Sequence, residues 1–265
     1  MNAPLRDDTR ALRIDHLHGA EDLHVWLHQG VTDRLVLCFA GIGGTPSIVP
    51  PIEFPRAASR NGEDTVLFFS DPKRSWLNAP GLIEQIVDWV EKYKTKINAR
   101  QVVALGHSMG GFMAAVLSGF TKIDVAMCFS PQATVHPVLA RDDVRWAIWR
   151  DQITEFRIRS VDDHLSDETT CYALFGRHTR EAPQRERFPI RDNVRFFVMP
   201  NTVHNTPQRL KQAGVLDDVV RYAFHGRRGL VGRVLTEKFN AERLTSPTKA
   251  MRERAKDDAA ALVAA

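Results

Sequence analysis

Only three of the 265 residues are cysteine, and Cys38, Cys128 and Cys171 each fall inside an apolar run. Three scattered thiols do not make a disulfide framework or a metal-ligand set, so they read as small buried hydrophobes. Long apolar runs are lacking as well, and none approaches the roughly 20 residues that a bilayer-spanning helix needs. Residues 1–19 carry Arg6, Asp7, Asp8, Arg10 and Arg13 and no apolar signal core, so a cytoplasmic protein is expected. Charge of one sign does not dominate: 36 Lys and Arg are dispersed among 32 Asp and Glu, for a net charge of +4 and a pI near 9.1. Arg227, Arg228 and Arg233 form a modest basic patch that reads as solvated surface, and no nucleic-acid module accompanies it. There is no internal repeat and no clustered His/Cys/Asp/Glu pattern, so neither a metal nor a cofactor is expected. What remains, 43% hydrophobic and 26% charged residues, suits one globular α/β domain of the larger kind.

The chain is organised around Val102-Val103-Ala104-Leu105-Gly106-His107-Ser108-Met109-Gly110-Gly111. The apolar run predicts a buried strand, and residues 109–120 predict a helix. Gly106-x-Ser108-x-Gly110 therefore sets one serine on a tight strand-to-helix turn. Glycines at its flanks let strand and helix approach closely while the serine takes a strained backbone conformation. Serine is also a preferred helix N-cap, so a purely structural role stands beside the chemical one. With a strand before it and small residues (Gly110, Gly111, Ala114, Ala115) after it, the motif resembles the nucleophile elbow of the α/β-hydrolase superfamily.

Residues 11–17 and 23–27 predict two opening strands, antiparallel about Gly19. Residues 34–39, 64–69, 102–105, 124–129, 171–175 and 194–199 predict six more, with helices at 80–96, 109–120 and from Thr206-Pro207. Alternating strands and helices argue for a mostly parallel sheet covered on both faces, the α/β-hydrolase arrangement. The expected division is a hydrolase domain over 1–226, with a small helical lid inserted at 131–170, and a charged, alanine-rich tail at 227–265. The tail reads as a surface helix or as disordered chain. In the lid, Arg145-Trp146-Ala147-Ile148-Trp149 reads as packing more than as an acyl pocket.

The resemblance implies further roles. The loop after the third strand, Ala40-Gly41-Ile42-Gly43-Gly44, stands where the superfamily often has His-Gly. That makes Ile42 the expected oxyanion donor, Gly43 the second choice, and the N–H of Met109 its partner. No Gly-Lys-Ser/Thr follows that glycine run and its spacing does not fit a dinucleotide fingerprint, which excludes the common phosphate loops. His204, five residues past Met199 and just before a predicted helix, is the expected base for Ser108. The acid is the irregular member. Gly176-Arg177-His178-Thr179-Arg180-Glu181 has no carboxylate at the usual place, and Ser130-Pro131-Gln132 after the sixth strand has none either. Glu181 is the choice, with an exposed pair to Arg177 or Arg185 as its structural alternative. Asp71, Asp142 and Asp143 are held in reserve.

The function implied is a serine hydrolase, esterase-like, that cleaves a carboxylic ester, thioester or amide of a small molecule through an acyl-enzyme on Ser108. Phe39-Ala40-Gly41 together with Phe129-Ser130-Pro131-Gln132 also resembles poorly characterised bacterial hydrolases linked to glycan synthesis, which brings in an acylated carbohydrate as a substrate class. Transfer to an alcohol instead of water is the close variant. A catalytically weak binding or scaffold protein on the same fold is the alternative from another class.

Overall fold

The computed structural model describes residues 12–45 and 48–264. Among them the strands are β1 (Asp15–Gly19), β2 (His24–His28), β3 (Arg34–Phe39), β4 (Thr65–Ser70), β5 (Gln101–His107), β6 (Val125–Phe129), β7 (Thr170–Gly176), β8 (Val194–Met199) and β9 (Glu242–Leu244). The helices are α1 (Pro55–Ser59), α2 (Leu82–Lys96), α3 (Met109–Val116), α4 (Ala147–Arg150), α5 (Ala182–Arg185), α6 (Thr206–Gln212), α7 (Leu216–Phe224), α8 (Arg228–Phe239) and α9 (Lys249–Ala264). The first strand lies later than its expected span, and Ala11 falls outside the described residues. The helix expected to run to residue 120 ends at Val116 and tightens into a 3-10 turn over Leu117–Gly119.

All nine strands form one sheet in the order β1-β2-β4-β3-β5-β6-β7-β8-β9. The pairs β1/β2, β2/β4 and β8/β9 are antiparallel, and the strands from β4 through β8 pair in parallel. The parallel strands are runs of Val, Leu, Phe, Ala and Met because both of their faces are covered. On one face α2 presents Leu82, Ile83, Ile86 and Val90, and α3 is buried throughout its length. The other face is closed by α1, α6, α7 and α8 through Ala57, Leu210, Val219, Phe224, Val231 and Leu235. Parallel strands all deliver their carboxyl ends to one edge of the sheet, where β3, β5, β6, β7 and β8 hand over to the loops that hold the candidate site residues.

Residues 131–169 hold one helical turn, α4, and otherwise follow turns and bends, so the expected helical character of this insertion is confined to four residues. Lacking a ladder, its backbone is satisfied by side chains from elsewhere. Asn78 Oδ1 accepts from the Ile158 N–H at 2.7 Å, and Gln184 Oε1 accepts from the N–H groups of Ala133 and Thr134 at 2.7 and 3.1 Å. Past residue 226 the chain folds back on the domain. β9 extends the sheet beside β8, Met251 of α9 joins the core, and Asp258 pairs with Arg187 at 2.7 Å and Arg141 at 2.9 Å.

Candidate active site

Register brings the site together before any side chain is considered. Phe39 pairs with Gly106, and His107 pairs with Phe129, so the loops after β3, β5 and β6 leave the sheet side by side. Close contact between β5 and α3 demands glycine at two places. A Cβ on Gly106 would lie 2.2 Å from the carbonyl of Gly110, and one on Gly110 would lie 2.2 Å from the Phe39 oxygen. Ser108, between them, has φ 59° and ψ −120°, outside the regions L-residues ordinarily adopt. Its side chain makes no capping bond to α3. The helix-cap reading of Ser108 thus fails on geometry, and its hydroxyl turns elsewhere.

It turns to His204. The Ser108 Oγ lies 2.8 Å from His204 Nε2, and His204 Nδ1 lies 3.0 Å from Glu181 Oε2. A carboxylate only accepts, so the imidazole proton sits on Nδ1 and Nε2 is left to accept from the serine hydroxyl. Glu181 is 1% exposed and closes a 3-10 turn, Thr179–Glu181, that brings its carboxyl back toward the sheet edge. Burial by itself would raise this carboxyl. The hydrogen bonds and charges of His204 and Arg145 outweigh it and hold Glu181 below its ordinary pKa, ionised at neutral pH.

The partners expected for a surface Glu181 are engaged elsewhere: Arg177 with Glu242, Arg185 with Glu186 and the Gly176 carbonyl. Instead Arg145, from the insertion after β6, donates to Glu181 Oε1 at 2.7 Å and is gripped from its other side by Asp143. The reserve carboxylates are accounted for in the same way. Asp71 accepts from the backbone and hydroxyl of Ser75, and Asp142 pairs with Arg187 and Arg254. His107 is not positioned as a base, because its Nε2 donates to the His204 carbonyl at 2.7 Å. Burial pushes its pKa down to about 4, with the neighbouring His204 adding to the effect, so it is neutral. His178 turns its ring to the Arg180 N–H.

Met109 opens α3, so its N–H is among the first four that lack an intrahelical acceptor. The loop holding Ile42 abuts the elbow: a Cβ on Gly41 would lie 3.2 Å from the His107 oxygen. That loop is braced by Arg74, a buried guanidinium that donates to the carbonyls of Ile42, Thr45, Ile48 and Pro72 and stacks on Trp149 at 4.3 Å. Trp146 packs on the His204 ring, centroids 5.8 Å apart, and carries the Arg145 guanidinium on its face at 4.2 Å. Both tryptophans therefore pack the insertion against the site.

Gln132 is the feature the sequence left unread. Fully buried two residues after Ser130, it donates its amide N–H to Ser108 Oγ at 2.8 Å, and its Oε1 accepts from the Trp76 indole at 3.2 Å. A separate cavity of about 650 Å³, lined by Glu53, Arg56, His107, Pro207, Lys211 and Leu216, lies beside the elbow; neither Ser108 nor His204 lines it. Among the described residues no group of three or more His, Cys, Asp or Glu is placed to hold a metal ion, and no helix is long and apolar enough to cross a membrane.

The strand order, the parallel core and the elbow define an α/β-hydrolase fold, and solved structures agree. An acylaminoacyl peptidase of Pyrococcus horikoshii superposes with a TM-score of 0.57 at 10% identity over 82% of this chain, which spans 42% of the peptidase. Brefeldin A esterase, a bacterial homologue of human hormone-sensitive lipase, gives 0.54 at 15% identity, covering 87% of this chain and 81% of its own. The capsule O-acetyltransferase of Neisseria meningitidis serogroup A gives 0.52 at 10% identity, covering 77% and 93%. No family model matches the sequence, and a search of curated proteins finds no sequence match. At such identities the likeness is one of fold.

Proposed function

We propose that this chain is a serine acyl hydrolase that cleaves a carboxylic ester through an acyl-enzyme on Ser108. The observation that carries the reading is the continuous chain Glu181 Oε2, His204 Nδ1, His204 Nε2, Ser108 Oγ, with contacts of 3.0 and 2.8 Å. Ser108 Oγ attacks the substrate carbonyl while its proton passes to His204 Nε2. The carbonyl π electrons move onto oxygen, which the N–H groups of Met109 and Ile42 are suited to receive. Collapse of that intermediate breaks the bond to the leaving alcohol, which takes the proton from His204. Water, deprotonated in turn by His204, then releases the acid.

Two points support this over a scaffold on the same fold. The acid missing from its usual place in the sequence is supplied by Glu181, and the strained φ of Ser108 is a cost that a mere turn has no reason to carry. The fold shared with a capsule O-acetyltransferase keeps transfer to a carbohydrate hydroxyl as the second reading. Water and alcohol differ only at the last step.

Fluorophosphonate labelling tests the core of the proposal, since only an activated serine reacts. Wild-type protein should label at Ser108, and Ser108→Ala and His204→Ala should not, with thermal unfolding little changed in Ser108→Ala. An unlabelled wild type, at pH 7 to 9, would remove the hydrolase reading. Product analysis with p-nitrophenyl acetate in the presence of sugar alcohols then separates hydrolysis from transfer.

A further inference from the structure

Ser108 Oγ has two polar neighbours, and only one belongs to the acid-base chain. The other, Gln132 Nε2, is equally close at 2.8 Å. The orientation of this amide is fixed: the Trp76 indole can only donate, so the atom facing it at 3.2 Å is the Gln132 oxygen, and the NH₂ faces the serine. Gln132 and Trp76 are fully buried, at 0% exposure, and Ser108 is 3% exposed. β6 sets the amide in place. Ser130, at φ 40°, bends the chain out of the strand, and its hydroxyl meets that of Thr206 at 3.0 Å, which ties the loop to the start of α6 two residues beyond His204.

We propose that Gln132 is a third, side-chain donor to the charge that develops when Ser108 attacks a carbonyl, and so a catalytic residue. This rests on the hydrolase reading above. In the resting state the serine gives its proton to the His204 bond and accepts from Gln132. As that proton moves to His204 Nε2, negative charge builds on Oγ, already in contact with the amide N–H. When the Oγ–carbon bond forms, the charge passes to the carbonyl oxygen, one carbon away from Oγ. On this proposal the amide N–H, held 2.8 Å from Oγ, turns to that neighbouring oxygen. The bond to the Ser108 ether oxygen weakens as the bond to the oxyanion strengthens, so the donor acts on the transition state more than on the ground state. A side-chain donor is preorganised here by its own partner, Trp76, as backbone donors are by a helix or a loop.

Two near-isosteric variants test it. Gln132→Met keeps the shape and removes the donor; Gln132→Glu keeps the shape and donates only when protonated. The readouts are the rate constant of fluorophosphonate labelling at Ser108, kcat and KM for p-nitrophenyl acetate, and thermal unfolding. In Gln132→Met both the labelling rate constant and kcat should fall on the order of 10²–10³-fold with KM nearly unchanged, the range for loss of one oxyanion donor. In Gln132→Glu the labelling rate relative to wild type should fall steadily as pH rises from 5 to 9, as the carboxyl loses its only proton. A residue that merely packed Trp76 would leave the labelling rate constant and kcat of the near-isosteric Gln132→Met close to wild type. Labelling of folded Gln132→Met within threefold of wild type, or a Gln132→Glu ratio that is flat with pH, overturns the proposal while leaving the hydrolase reading intact. Failure of wild-type protein to label overturns both.

Discussion

On the proposed hydrolase reading, Glu181 is a side chain that is structural and chemical at once. Its two carboxylate oxygens are divided, one to Arg145 and one to His204. Because Asp143 already neutralises Arg145, the Arg145–Asp143–Glu181 group keeps a net negative charge directed at the imidazole. That charge is of little use to a neutral ring and of most use to the imidazolium that forms during attack. Glu181→Gln should therefore lower kcat by up to about 10⁴-fold and leave KM nearly unchanged, since the uncharged amide no longer stabilises the imidazolium. Steady-state kinetics on a p-nitrophenyl ester reads this directly. A near-wild-type kcat would show that the carboxylate serves only to hold Arg145. The 3-10 turn over Thr179–Glu181 is what brings this late carboxylate to His204.

At the scale of elements, the elbow is a contact between β5, α3 and the loop after β3 that tolerates no Cβ. Gly110→Val should cost more than about 3 kcal/mol, because the new side chain starts 2.2 Å from the Phe39 carbonyl and backbone must move to admit it. Chemical denaturation should show the loss, and labelling of Ser108 should vanish with it, whereas Ser108→Ala should separate the two effects. This element was legible in the sequence because its demands are local: glycine spacing, an apolar run, a serine between. β3, β5, β6, β7 and β8 were legible for a similar reason, since strands covered on both faces are written as uninterrupted Val, Leu, Phe and Ala. How the insertion at 131–169 and the 227–264 segment pack on the domain was not. Their order comes from partners far away in the chain, such as Gln184 for Ala133, Asn78 for Ile158 and Asp258 for Arg187, and no periodicity records such bonds. Gln132, Arg74 and Arg145 escaped for that reason too. An amide or guanidinium in a loop announces no role until the fold sets Trp76, the Ile42 carbonyl or Glu181 beside it.

For the molecule as a whole, the pH response of stability should be set in part by two groups on the wall of the cavity beside the elbow, acting in opposite directions. Glu53 is pushed up to about 7 by burial, against the pull of the Gly41 N–H. Between its ordinary value of 4.5 and about 7 the folded state keeps a proton that the unfolded state has released. Stability therefore falls as pH rises through that window, by up to about 3 kcal/mol for a shift of this size. His107, pushed down by burial from 6.5 to about 4, does the reverse. Between those values the unfolded state holds the extra proton, so stability rises with pH by a comparable amount. The two windows overlap from pH 4.5 to 6.5, and there the slopes should largely cancel. Glu53→Gln removes one of them. The variant should match wild type near pH 4, where Glu53 is protonated in both states, and become progressively more stable than wild type up to about pH 7. Above that the difference should hold constant at roughly 1 to 3 kcal/mol. Denaturant melts of both proteins at half-unit pH steps measure the difference curve. A difference independent of pH would mean that Glu53 titrates alike in the folded and unfolded chain, and that the cavity wall does not hold it protonated.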